Sequence, residues 1–117
     1  MPSVLESTTR SASLAPVASG GMHVVVNHLR LRDPLPQATA DKLQDIVQRV
    51  VDAGGIAAHV AMVSEQHLIL ILTFASAEDA DRIAREVGGP WMRENIVPLL
   101  EGGTERSVGK VIAAAQA

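Results

Sequence analysis

The sequence predicts an α+β domain on the ferredoxin-like plan, βαββαβ in order with an antiparallel sheet. Three observations predict it. Branched or alternating apolar residues mark three or four strand-length segments. Two other stretches repeat apolar residues at helical spacing, and glycine pairs or prolines separate the pieces. With 117 residues, 47% of them hydrophobic, the chain has room for one domain and its core.

Residues Met1 to Gly21 read MPSVLESTTRSASLAPVASGG, without a period of 2 or 3.6. Such a segment lacks the apolar surface that offsets ordering entropy, so 1–21 is expected to be a disordered arm. No apolar run of adequate length follows Arg10, so the arm does not read as a signal peptide. The domain is expected over 22–113, with a short tail at 114–117.

The first strand is MHVVVNHLRLR, Met22 to Arg32. Its stiff branched valines suit a pleated surface. One face carries His23, Val25, Asn27, Leu29 and Leu31; the other carries Val24, Val26, His28, Arg30 and Arg32. Pro34 and Pro36 end it. Thr39 offers a helix cap, with Asp41 in the favourable first turn. Leu43, Ile46, Val47, Val50 and Val51 then form one apolar stripe, and Asp45 with Arg49 an i, i+4 pair. Gly54-Gly55 stops the helix.

Two strands follow, Ile56 to Val63 and His67 to Phe74, joined by Ser64-Glu65-Gln66 as a hairpin. The second, HLILILTF, is a nearly continuous apolar run suited to a central strand. Ser76-Ala77-Glu78-Asp79 resembles a capping box. Ala80, Ile83, Ala84 and Val87 repeat at helical spacing, with Glu78–Arg82 and Asp81–Arg85 as supporting pairs. Gly88-Gly89-Pro90 is expected to break this helix, and WMRENIVPLL to form a short further one that Pro98 kinks or ends. Thr104 to Ile112 alternates as a last strand.

Two helices cover one face of such a sheet. The other face, with Val24 and Val26, needs a second cover, and self-pairing is the simplest. The expectation is a homodimer through the helix-free face, with any ligand cavity on the opposite side.

Composition excludes several functions. No cysteine is present, which removes disulfides, zinc-thiolate sites and cysteine nucleophiles and suits a cytoplasmic location. A net charge of -3, one Phe, one Trp and no Tyr oppose nucleic-acid binding. No apolar run approaches the roughly 18 residues that cross a bilayer, so no membrane partner is expected. Serines cluster in the first 21 residues with no GxSxG elbow, and the glycine doublets match no phosphate loop.

The opening strand, the helix DKLQDIVQRVVDAGG, the passage LTFASAEDADRIA, the late segment GPWMRENIVPLL and the closing strand resemble the antibiotic biosynthesis monooxygenase-like family, over about Met22 to Ile112. The resemblance implies a dimeric α+β barrel. It also implies a range of activities: cofactor-independent oxygenases and quinone-forming enzymes acting on polycyclic aromatics, similar haem-degrading proteins, and members with no established reaction. Haem-degrading relatives use an Asn on the first strand, a Trp on the second helix and a His after it. Asn27 matches the first, but Arg85 and Asn95 stand near the other two positions. Haem is therefore not expected, and no other cofactor is.

Asn27 breaks an otherwise apolar face that points at the helices, where this family keeps its cavity. A buried amide without partners costs about 1–3 kcal/mol. Asn27 is thus either bonded to backbone or water, or it orients substrate and polarises oxygen. His28 or His59 is the candidate base near neutral pH. A metal is not expected: His23 and His28 leave opposite faces, a turn at Glu65 puts His67 beside Val63 and His59 near Ile71, and zinc needs three or four converging ligands. Trp91, Arg93 and Asn95 lie on the segment that would roof the cavity, as substrate-binding candidates. Trp91 reads either as a core anchor or as a pocket wall; Arg93 reads as an anion partner or as a solvated cation. Two functions follow: a cofactor-independent monooxygenase-like protein acting on a small apolar or aromatic molecule, or a non-catalytic dimeric ligand-binding or structural barrel.

Overall fold

The computed structural model describes residues 21–115 and 117. Apart from Gly21, the expected arm lies outside them. The order is β1 (His23–Arg30), α1 (Gln37–Asp52), β2 (Ala57–Ser64), β3 (His67–Phe74), α2 (Ala77–Ile83), a π-turn (Ala84–Gly88), α3 (Gly89–Asn95), a 3-10 turn (Val97–Leu99) and β4 (Glu105–Lys110). The four strands form one antiparallel sheet in the order β2-β3-β1-β4. This is the expected ferredoxin-like plan.

Alternation along the strands makes two unlike faces. Val25, Leu29 and Leu31 from β1 and the residue after it, with Leu68, Leu70, Leu72 and Phe74 from β3, are buried beneath the helices. Ile46 and Val50 of α1, Ala80 and Ile83 of α2, and Trp91 and Ile96 complete that core. The opposite face carries Val24, Val26, Ile69 and Ile71, all only half-buried. Among the described residues no helix covers it.

Several local expectations are corrected. α1 begins at Gln37, not after Thr39: Pro36, with φ fixed at -64°, is the cap residue, and the Thr39 and Ala40 N–H groups both donate to its carbonyl at 3.0 Å. Asp41 consequently sits beyond the first turn, accepting from Gln37 Nε2 at 2.8 Å. Val51 falls off the stripe and is 38% exposed. The Asp45–Arg49 pair forms at 3.0 Å on the wet side. Gly54 ends the helix region at φ 124°, a value that only glycine adopts freely.

The second helical segment differs more. Ser76 Oγ accepts from the Asp79 N–H at 3.1 Å, as a cap should. Arg82, however, pairs with Asp79 at 3.3 Å and Glu86 at 3.8 Å, not with Glu78. It also donates to the Ala53 carbonyl at 3.1 Å, and this free carbonyl past the end of α1 draws the guanidinium across. No Asp81–Arg85 pair forms. Nor do the two glycines break the helix. A proline crowds the carbonyl four residues back in a plain α-helix. Here the register widens to a π-turn just before Pro90, the Gly89 N–H donating to the Ala84 carbonyl five residues back. A Cβ on Gly89 would stand 2.7 Å from that carbonyl oxygen, so glycine is what permits the turn. The chain then leaves α3 through the 3-10 turn at Pro98, and Leu100 bridges Leu31.

Candidate functional site

A cavity of about 240 Å³ opens between the sheet and the α2–π-turn–α3 segment. Buried Val25, Leu72, Phe74, Ala80 and Ile83 form its apolar floor, and Asn27 is the polar residue among them. β1 places Asn27 there because odd-numbered residues of this strand face the helices. Asn27 is 9% exposed, and its Oδ1 is fully enclosed with no hydrogen-bond partner among the described residues. Of the first reading of this amide, bonded to backbone or to water, no backbone group among the described residues supplies a bond to Oδ1.

The mouth is rimmed by exposed Arg93, Val97, Thr104 and Arg106. Arg93 projects from α3, against the bare α-carbon of Gly89: a Cβ there would be 3.4 Å from its Nη1. Arg106 comes from β4, where it is the direct cross-strand partner of Asn27 and so shares its face. Among the described residues no acid and no histidine lines this cavity.

Of the six residues singled out from sequence, the cavity gathers Asn27 and Arg93. His28 and His59 lie on the opposite, helix-free face, His59 across from Ile71 as the hairpin register predicts. The sheet separates both from Asn27. Trp91 is buried but turns toward α1, over a groove with Arg49, Asp52 and Val87, because α3 presents residues 91 and 92 to different sides. Asn95 donates to the Trp91 carbonyl at 3.0 Å and accepts from Lys42 Nζ at 3.3 Å, which ties it to α1.

Sequence reading misses Arg106. The signal exists only in the β1–β4 register, since alternation along the last strand does not say which residue faces position 27. It also misses a contact on the other face: His28 Nδ1 lies 3.0 Å from His67 Nε2, beside an Arg30–Glu105 ion pair of 3.1 Å. Arg30 holds the Glu105 carboxyl below its usual range by hydrogen bonding and by charge. Desolvation, then Arg30 and His28, lower the pKa of His67. Among the described residues no group of three His, Asp or Glu side chains is arranged to hold a metal ion. None of their helices is long and apolar enough to cross a membrane.

No protein-family model matches the sequence, and no curated protein does. Solved structures do. A candidate antibiotic biosynthesis monooxygenase from Nitrosomonas europaea superposes with a TM-score of 0.69 at 9% identity, over 80% of this chain and 92% of that one. A mutant form of SnoaB, a cofactor-independent oxygenase from Streptomyces nogalater, gives 0.64 at 11% identity, over 83% and 96%. A dimeric ferredoxin-like protein of unknown function from Bacteroides fragilis gives 0.63 at 12%, over 78% and 97%. At these identities the likeness shows the fold: a ferredoxin-like α+β domain of the kind found in such oxygenases and dimeric proteins.

Proposed function

We propose that this protein binds a small apolar, oxidisable aromatic molecule in the helix-side cavity and oxidises it with dioxygen, without a cofactor. The observation that carries the reading is the orphaned Asn27 Oδ1 at the floor of an apolar cavity. An enclosed acceptor with no partner costs about 1–3 kcal/mol, so a turn of the amide that brings Oδ1 to a substrate O–H would both recover that cost and fix orientation. The fold neighbours include a cofactor-independent oxygenase, which supports the same reading. For an anthrone, with a methylene between two aryl rings and a carbonyl across the central ring, one molecule of dioxygen turns the methylene into a carbonyl and releases one molecule of water. Two C–H bonds break and a C=O bond forms. One oxygen atom enters the product, the other leaves as water with both hydrogens, and the substrate supplies the electrons. Asn27 would hold the enol tautomer's hydroxyl, the form that reacts. Among the described residues no histidine lines the cavity, which supports a reading without haem.

The test is dioxygen uptake with anthrone as probe. Purified protein should raise uptake above the buffer rate, and Asn27→Ala should lower kcat by an order of magnitude or more, in line with loss of one positioned group. Uptake identical in wild type and Asn27→Ala would reject the assignment.

A second reading, a binding module without turnover, is favoured by one specific observation. Among the described residues no acid or neutral base lines the cavity, because His28 and His59 face the other way. Anthrone binding without uptake would select it. In both readings the protein pairs with a second copy through the helix-free face, which the dimeric neighbours support.

A further inference from the structure

We infer that the ligand of this cavity carries a carboxylate, which Arg93 and Arg106 bind at the mouth while its apolar body lies on Val25, Phe74 and Ile83. The inference rests on the reading that this cavity is the working site, and it adds the substrate's chemical class. Four observations carry it.

First, the two arginines reach one cavity from separate elements, α3 and β4. Second, neither joins an ion pair among the described residues; Arg30, Arg49 and Arg82 do, while Arg32 and Arg85 do not. Third, no carboxylate among the described residues lines the cavity, although the chain has 13 acidic residues and a net charge of -3. A doubly cationic, acid-free mouth thus runs against the charge of the whole. Fourth, Arg106 is rooted directly opposite Asn27, and Gly89 leaves the space that Arg93 lies against.

The planar guanidinium matches a carboxylate with two parallel hydrogen bonds, a fit that a hydroxyl or amide does not offer. Depth then separates two roles. Asn27 at the floor offers a neutral amide, and the arginines at the wet rim engage the charge, where it need not be fully desolvated. The volume of about 240 Å³ lies below the usual range for drug-sized ligands, so the body is small.

The test compares 2-naphthoate with its neutral isostere 2-naphthamide by calorimetric titration at low salt. The proteins are wild type, Arg93→Gln, Arg106→Gln and the double variant. Wild type should prefer naphthoate by about tenfold or more, as charge-assisted pairing implies. The preference should shrink with added salt, fall in each single variant and vanish in the double one. Both arginines are exposed, so unchanged circular dichroism and thermal midpoints should accompany the loss. Equal binding of the two compounds by wild type, a preference that survives in the double variant, or no binding of either compound would overturn the inference. Anthrone uptake, run in parallel, separates the two claims. Naphthoate preference without uptake keeps the acid site and rejects the oxygenase reading. Uptake without naphthoate preference does the reverse.

Discussion

His28 Nδ1 and His67 Nε2 stand 3.0 Å apart on the helix-free face of the sheet, with ring centroids 5.2 Å apart. One ring must donate and the other accept, so the bond survives only while at least one imidazole is neutral. The two are diagonal neighbours: His67 lies directly across from Arg30, and His28 from Ile69.

This pair makes stability depend on pH. Desolvation, followed by Arg30 and His28, holds the pKa of His67 below its ordinary 6.5, with Glu105 opposing. Between that lowered value and 6.5, the unfolded chain binds more protons than the folded one, so stability rises with pH. It is complete above 6.5 and falls as pH drops through the window. Glu105, lowered below 4.5, adds a separate loss at lower pH, as its own folded value is crossed. Denaturation midpoints from about pH 4.5 to about pH 8 should show the first step. His67→Gln should flatten it and leave the Glu105 step; an unchanged slope would reject the role of His67.

Asn27 is expected to trade stability for binding. Replacing an orphaned buried amide by leucine, which branches at the same carbon and can extend into the cavity, removes the unmet hydrogen-bonding demand of Oδ1. Asn27→Leu should therefore raise unfolding free energy by about 1–3 kcal/mol, read from denaturant midpoints. The same variant should lose ligand binding. A destabilised Asn27→Leu would mean that the amide holds the strand in place.

Gly89 offers a steric test of the π-turn. A methyl group there meets the Ala84 carbonyl at 2.7 Å, a backbone atom that cannot swing aside. Gly89→Ala should cost about 1–3 kcal/mol, the range for overpacking, and displace Arg93 from the cavity mouth. Gly103→Ala is the control, because nothing lies within 4 Å of its Cβ position and its φ is not in the left-handed region. It should change stability by less than about 0.5 kcal/mol, as ordinary surface substitutions do.

What sequence reveals here divides by range. The β3 limits, the Ser76 cap and the facing of Asn27 all follow from periods of 2 and 3.6 and from local capping chemistry. The continuous helix through Gly88-Gly89-Pro90 does not, because composition there signals a stop while a single π-turn absorbs the proline. Long-range register is the other missing term. It brings Arg106 opposite Asn27 and His67 next to His28, and neither follows from one strand read alone. Half of the candidate site is therefore legible, the half that one strand and one helix carry.

The open face yields the last prediction. Ile71 sits on the central strand β3, between Val26 of β1 and His59 of β2, so it lies near the middle of that face. If a second copy covers the face, Ile71 is buried in the pair and half-buried in the separate chain. A lysine there keeps its charged head in water when the chain is alone, on a stem that still lies along the sheet. In the pair, that charge would be buried within the contact, at a cost of several kcal/mol. Sedimentation at micromolar concentration should give the mass of two chains for wild type and of one for Ile71→Lys, with circular dichroism unchanged. The cavity lies on the other side of the sheet, so the variant should keep naphthoate binding. A wild-type protein sedimenting as one chain would reject the pairing, and an Ile71→Lys variant that stays paired would move the contact to another surface.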